Sequence, residues 1–247
     1  MGDIFGRNPV IEALKSKRTI NKIWIAKGEQ NGSIHEIVGM AKEQHIMIQQ
    51  VDREKLNKMF PHENHQGVAA SIATADYVEW QDILEIARKK GAAPFLVILD
   101  ELEDPHNLGA ILRSVDAVGA HGVIIPKRRA VPLTEGVAKA SAGAVEHVPV
   151  ARVGNIVQVM EALKKEGIWI AGASMNGTEM TEQDLTGPLA IVIGSEGKGL
   201  GKLVQESCDF IVSIPMHGAI NSLNASVATG VLLYEAHRQR NAAGKKI

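Results

Sequence analysis

Three segments of this 247-residue chain hold residues whose types and spacing could do chemistry. The first, Leu99–Arg113, sets Asp100, Glu101, Glu103 and Asp104 ahead of Pro105-His106-Asn107, then Gly109, Ala110 and Arg113. Asn107 stands where a helix should begin and is expected to cap it, with Leu108, Ile111, Leu112 and Val115 as the apolar stripe. Arg113 lies off that stripe among small residues, which leave its guanidinium room to reach a ligand. Its planar fork suits a phosphate or a carboxylate; the competing reading is an intrahelical pair with Asp116. The second segment, Gly194-Ser195-Glu196-Gly197-Lys198-Gly199, follows the apolar run Leu189–Ile193. Its glycines allow positive φ and exposed N–H groups near an anionic or polar ligand. Neither phosphate-binding fingerprint fits, because Leu203 replaces the hydroxyl residue of a P-loop and Lys202 the last glycine of Gly-x-Gly-x-x-Gly. Glu196 could orient or activate a hydroxyl, or could simply bond backbone amides of its own loop. The third segment, Ile214–Asn224, leaves an apolar run at Pro215 and supplies the amides of Asn221 and Asn224. A helix is expected to start near Asn221 or Ser222, with Leu223, Val227, Val231 and Tyr234 on one stripe. The small residues of 225–230 let another backbone or a flat ligand come close, or simply pack tightly in a core.

Those segments need a frame. From Pro94 onward, strands are expected at Phe95–Leu99, His121–Ile125, Val145–Val150, Ile168–Ala173, Leu189–Ile193 and Phe210–Ile214. Helices fit at Asn107–Val118, Thr134–Ser141, Asn155–Glu166 and Ser222–Gln239. Near-continuous apolar strands alternating with helices indicate an α/β fold with a mostly parallel sheet covered on both faces. Ligands of such sheets gather beyond the carboxyl ends of strands, and all three segments lie at such ends. Ahead of them, Asn8-Pro9 reads as a helix start, followed by a strand at Lys22–Ala26. A capping box at Ser33–Glu36 opens the next helix, then come a strand at Ile46–Val51, a helix at Asp52–Phe60 and a strand at Gly67–Thr74. The expected organisation is a small α/β domain over 1–75, a linker over 76–93 and the main domain over 94–247.

The composition is 45% hydrophobic and 22% charged, which suits a soluble globular protein. No apolar run reaches the ~18 residues of a membrane span, and no leader pattern opens the chain, so a cytoplasmic protein is expected. The single cysteine, Cys208, excludes an internal disulfide and argues against a cysteine-rich zinc site, and no metal is expected. A net charge of −1 gives no global sign of a nucleic-acid partner. Local basic clusters soften that: Arg7, Lys15, Lys17, Arg18 and Lys22; Lys127-Arg128-Arg129; and Arg238, Arg240, Lys245 and Lys246.

Taken together, Asn107…Arg113, Gly194–Gly199 and Ile214-Pro215-Met216…Ser222-Leu223-Asn224-Ala225-Ser226 resemble the three motifs of the SpoU (TrmH-like) branch of the SPOUT methyltransferases. The resemblance covers about residues 94–239. The opening Gly6-Arg7-Asn8-Pro9-Val10-Ile11-Glu12-Ala13-Leu14 resembles the ribosomal-protein-like RNA-binding domain of the 23S rRNA guanosine 2′-O-methyltransferases of that branch. The resemblance implies S-adenosylmethionine as methyl donor, a ribose 2′-hydroxyl of RNA as acceptor, and a homodimer with active sites near the subunit interface. It also implies a trefoil knot in the carboxyl-terminal part. By the same carry-over Gly194, Ile214, Met216 and Leu223 contact the cofactor, while Asn107, Arg113, Glu196 and Asn224 form the reacting site. Arg7 and Asn8 become candidate RNA contacts. A guanidinium deprotonates only with great difficulty. Arg113 is therefore expected to grip a phosphate and stabilise developing alkoxide charge, with Glu196 and Asn224 orienting the hydroxyl or supporting Arg113. A tRNA ribose methyltransferase and a non-catalytic RNA-binding protein are the competing readings.

Overall fold

The computed structural model describes residues 2–16, 18–29, 32–219 and 222–244, so Lys17, Asn221, Lys245 and Lys246 lie outside the described residues. The chain divides into two compact units, Met1–Asp76 with Pro132–Glu135, and Tyr77–Val131 with Gly136–Ile247.

The first unit runs β1 (Asp3–Phe5), α1 (Arg7–Lys15), β2 (Ile20–Ala26), α2 (Gly32–Glu43), β3 (Ile48–Val51), α3 (Arg53–Met59) and β4 (Val68–Ile72). Its sheet has the order β1-β4-β2-β3, with β4 antiparallel to both neighbours and β2 parallel to β3. Val10, Leu14, Ile23, Ile37, Val68 and Ala70 are buried between the sheet and the pair α1 and α2. Two expected caps move. Helix α1 starts at Arg7 after Gly6, whose φ of 92° only glycine adopts cheaply, so Asn8 lies inside the first turn. Helix α2 starts at Gly32, ahead of Ser33, whose hydroxyl accepts from Arg7 Nη1 instead.

The second unit runs α4 (Trp80–Lys89), β5 (Phe95–Leu99), α5 (Pro105–Ala117), β6 (Gly122–Pro126), α6 (Glu135–Ala140), β7 (Val150–Val153), α7 (Ile156–Lys165), β8 (Trp169–Glu179), β9 (Leu189–Ile193), α8 (Lys202–Glu206), β10 (Phe210–Ser213) and α9 (Ala225–Gly244). Residues 76–93 are not merely a linker: α4 buries Ile83 and Leu84 in the core of this unit beside Leu96, Ile98, Ile124, Met160 and Ile170. The expected strand at Val145–Val150 also splits. A 3₁₀ turn occupies Ala144–Glu146, entered through Gly143 at φ 93°, and the strand begins only at Val150.

The strands pair in the order β10-β8-β9-β5-β6-β7, every pairing parallel. From β5 the chain first moves outward through β6 and β7, then continues on the other side through β8, β9 and β10. The strand order therefore reverses between β5 and β9, and the crevice outside the carboxyl ends of these two strands is where such sheets bind ligands. After β10, at the sheet edge, the chain returns to lay α9 against α5 and β9.

The carboxyl-terminal end of α9 is pinned by Arg240. Its Nη1 donates to Ala93 O and its Nη2 to Pro94 O and Gly187 O, while the guanidinium lies 4.3 Å from the centre of the Phe95 ring. With no carboxylate among these partners, burial pushes its pKa down to about 10. Arg240→Met keeps the stem but leaves three carbonyls without their donor. We expect a loss of about 2–4 kcal/mol and a fall of about 5–10 °C in the melting midpoint by calorimetry. An unchanged midpoint refutes the pin.

Candidate active site

The crevice at the reversal point is bridged by backbone and by one acid. Asp100 N–H donates to Ile193 O at 2.8 Å, and Asp100 Oδ2 accepts from Gly201 N–H at 2.9 Å. This ties the end of β5 to both ends of the glycine loop 194–201. Burial raises the Asp100 carboxyl above the ordinary aspartate range, against the opposing Gly201 N–H. Asp100 did not stand out in the sequence, although an acid directly after a five-residue buried strand is the signal that could have marked it.

The glycine loop is a tight hairpin. Ser195 and Gly199 exchange backbone hydrogen bonds at 3.1 and 3.0 Å, and Gly197 and Gly199 hold φ of 83° and 67°. Gly194 is buried beneath it, and a Cβ there would stand 2.1 Å from Gly199 C and 2.3 Å from Leu200 N. Since only backbone lies in the way, no side-chain motion relieves the clash. On the resemblance, which puts Gly194 at the S-adenosylmethionine site, Gly194→Ala is expected to abolish methyl transfer and to weaken cofactor binding at least ten-fold in a calorimetric titration; retained binding would show that the hairpin is not part of that site.

Glu196 stands at the tip of the hairpin, and two asparagines from different elements converge on it. Asp104, not Asn107, caps α5: its side chain accepts from His106 N–H at 3.0 Å, and Pro105 takes the first helical position. Asn107, thereby free and buried, donates from Nδ2 to Glu196 Oε1 at 2.5 Å. Helix α9 likewise starts later than expected. Ser222 is not helical, and the cap is Asn224, whose Oδ1 accepts from Ser226 N, Ser226 Oγ and Val227 N at 2.9, 2.6 and 3.3 Å. That capping leaves Nδ2 to face the site, where it donates to both Asn107 Oδ1 and Glu196 Oε1 at 3.0 Å. The ring of three side chains thus fixes every amide. Glu196 Oε1 accepts two donors, while Oε2 has no partner among the described residues and is the open acceptor of an exposed carboxylate.

Met216 and Leu223 are 37% and 39% exposed on the stretch between β10 and α9, and Ile214 is half-buried at its start. The apolar surface they offer lies on the chain segment that ends at Asn224. Arg113 does not join the ring. It lies six residues past Asn107, about 9 Å along α5 and on a different face. There it lines an open cavity of about 580 Å³ with Ser114, Ser141, His147 and Tyr234. Arg113 and Asp116 form no ion pair within the described residues, so the guanidinium stays available. Cys208 is half-buried and desolvation pushes its thiol up to about 11, which keeps it protonated and unreactive.

In the first unit Asn8 is exposed at the start of α1. Arg7 is not open to a phosphate: its Nη2 meets Glu29 Oε2 at 2.6 Å, Nη1 meets Ser33 Oγ and Nε meets Gln66 O. Its guanidinium is an internal clamp.

Comparison with known proteins agrees with this layout. Residues 94–234 match the SpoU rRNA Methylase family, and residues 4–78 match the RNA 2′-O ribose methyltransferase substrate binding domain. A Bacillus subtilis chain named as the TrmH family tRNA/rRNA methyltransferase YacO is 52% identical over 243 residues, 98% of this chain and 97% of that one. The SpoU methyltransferase AviRb of Streptomyces viridochromogenes, crystallised with AdoMet, superposes with a TM-score of 0.62 and 26% identity, covering 97% of this chain and 90% of AviRb. The Aquifex aeolicus TrmH/SpoU tRNA modifying enzyme superposes with a TM-score of 0.56 and 32% identity over 66% of this chain and 85% of its own. The ring at the reversal point, the glycine hairpin beneath it and these two domain matches lead to one conclusion: the chain belongs to the SpoU (TrmH) family of RNA methyltransferases.

Proposed function

We propose that the protein transfers the methyl group of S-adenosylmethionine to a ribose 2′-hydroxyl of RNA, on a guanosine of 23S rRNA. The observation that carries the reading is the ring of Asn107, Glu196 and Asn224, which leaves Glu196 Oε2 as an oriented acceptor for one hydroxyl proton. The residues around it fit the cofactor. The exposed Met216 and Leu223 supply apolar contact for an adenine or a methionine chain, and the hairpin over Gly194 brings bare backbone to the crevice. When bound, S-adenosylmethionine supplies an electrophilic methyl on a sulfonium. The protein's own share is positioning and charge. Glu196 accepts the hydroxyl proton or holds the hydroxyl through it, Asn107 and Asn224 keep the carboxylate from rotating, and a guanidinium offsets the negative charge that grows on the ribose oxygen.

That guanidinium is Arg113, and its distance along α5 from the ring supports a homodimer in which Arg113 of one copy faces the ring of the other. Val227 and Tyr234, on the expected stripe of α9, are 50% and 56% exposed and fit such a covered face. In this reading the return of the chain from β10 to α5 closes the trefoil knot. The cytoplasm is the setting; among the described residues no helix is long and apolar enough to cross a membrane. The first unit, which matches the substrate-binding family model, supports rRNA over tRNA; the likeness to the tRNA modifying enzyme covers 66% of this chain. Labelled methyl transfer to unmodified 23S rRNA and, separately, to unmodified tRNA tests the reading. Ribose label at one 23S guanosine is the expected result, label on tRNA alone overturns the substrate, and no cofactor binding overturns the activity.

A further inference from the structure

The first unit contains an open polar pocket of about 650 Å³, lined by Arg53, Asn57, Glu63, Asn64, His65 and Gln66 beside the Arg7–Glu29 clamp; of these residues only Arg7 belongs to a motif. Two of its hydrogen-bonding directions are set by neighbours, one of them the buried His65. The Nδ1 of His65, a residue 6% exposed, accepts from Gly67 N–H at 3.1 Å, so the neutral ring carries its proton on Nε2. Burial and then the charge of Arg53 lower the pKa of His65, which keeps it in that form. Nε2–H therefore donates to Asn57 Oδ1 at 2.7 Å, and the Asn57 Nδ2 donors turn outward. Gln66 is oriented the same way: its Oε1 accepts from Arg7 N–H, which leaves Nε2 free to donate. Arg53 spends only Nη1 on Glu29. Glu63 has no side-chain partner among the described residues and is the pocket's unused acceptor. The loop that carries these groups holds His62 and Gln66 at φ of 73° and 47°, a costly conformation for side-chain-bearing residues that clusters at binding sites.

Two arginines face two glutamates here, so the pocket has no net charge to attract a phosphate dianion. What it offers is a set of oriented amide and guanidinium donors beside one carboxylate. Among RNA bases, guanine matches that set: O6 and N7 are adjacent acceptors, and N1–H and N2–H₂ are donors that a carboxylate accepts. We propose that this pocket binds an unpaired guanine base of the RNA substrate, with Asn57, Gln66 and Arg53 toward O6 and N7 and Glu63 toward N1 and N2. The inference rests on the reading of the chain as an RNA methyltransferase and assigns to its first unit a base-specific contact separate from the methylated nucleotide.

The test uses the full chain and fluorescein-labelled oligoadenylate 12-mers carrying one central guanosine, 7-deazaguanosine, inosine or adenosine, read by anisotropy. Guanosine is expected to bind about ten-fold or more tighter than adenosine, with 7-deazaguanosine and inosine between them. E63Q should erase the advantage of guanosine over inosine. N57D, which keeps the acceptor that His65 needs, should erase the advantage over 7-deazaguanosine. E43Q should change neither, because Glu43 is an exposed acid of the same unit that does not line the pocket. Equal binding of all four oligomers, or a guanosine preference that survives both E63Q and N57D, overturns the pocket assignment. Both of those results leave the methyltransferase reading intact, which fails separately if no RNA accepts methyl.

Discussion

Glu196→Gln is expected to lower the turnover of methyl transfer by a hundred-fold or more, about the share that a positioned acid–base group contributes. The expectation follows from the hydrogen-bond count in the ring. Oε1 of Glu196 accepts from Asn107 and Asn224 at once, and Oε2 is left for the substrate. A glutamine can keep its carbonyl oxygen toward the two asparagines, so the ring and the hairpin should survive. It then presents an NH₂ where the hydroxyl proton must go. In the proposed mechanism, a donor then replaces the acceptor at Oε2. Cofactor affinity should change less than three-fold, since the apolar contacts of Met216 and Leu223 remain, and the apparent KM for RNA should change little. Loss confined to KM, with turnover intact, would make Glu196 a binding group and refute its role as proton acceptor.

The same ring shows how far residue type alone carries. Five-residue runs such as Phe95–Leu99 and Leu189–Ile193 are legible as strands because both faces are buried, so every position is apolar and no period competes. Strand β8 extends past its apolar part because Met175–Glu179 runs on beyond β9, with Thr178 and Glu179 paired to β10 after a bulge; polar residues there carry no strand signal. The resemblance sets Asn107, Glu196 and Asn224 together, and the structure brings the three into contact; what the local reading misplaces is the capping, expected of Asn107 for α5 and of Asn221 or Ser222 for α9. Asp104 caps α5 instead, and the cap of α9 falls on Asn224, which also bonds Glu196. Asparagine caps helices and orients carboxylates with equal ease. What decides is whether a neighbour such as Asp104 has already satisfied the first turn, and that depends on chain geometry two or three residues away. Arg7 illustrates the converse: a basic residue in a basic cluster, it meets Glu29 in the turn after β2, a pairing 22 residues apart that no local pattern reveals.

Arg113→Lys is expected to be nearly inactive, because lysine keeps the charge but not the fork that can hold a phosphate and the ribose oxygen together. The larger consequence concerns where Arg113 acts. In the structure its side chain lines a cavity with Ser141, His147 and Tyr234, on a different face of α5 from Asn107. A guanidinium that serves the ring of its own chain would have to cross the helix. One that serves a second copy needs only the two exposed faces to meet. Mixing the Arg113→Lys and Glu196→Gln chains after joint denaturation and refolding separates the two cases. If Arg113 acts across the interface, every mixed dimer has one site with both defects and one with neither. Half of the dimers being mixed, about one quarter of wild-type turnover should return from two inactive parents. If it acts within its own chain, each site keeps one defect and nothing returns. Recovery near one quarter would establish both the dimer and the shared site. Absence of recovery, with mixed dimers demonstrated by differential tagging, would place Arg113 with its own ring and require α5 to move before reaction.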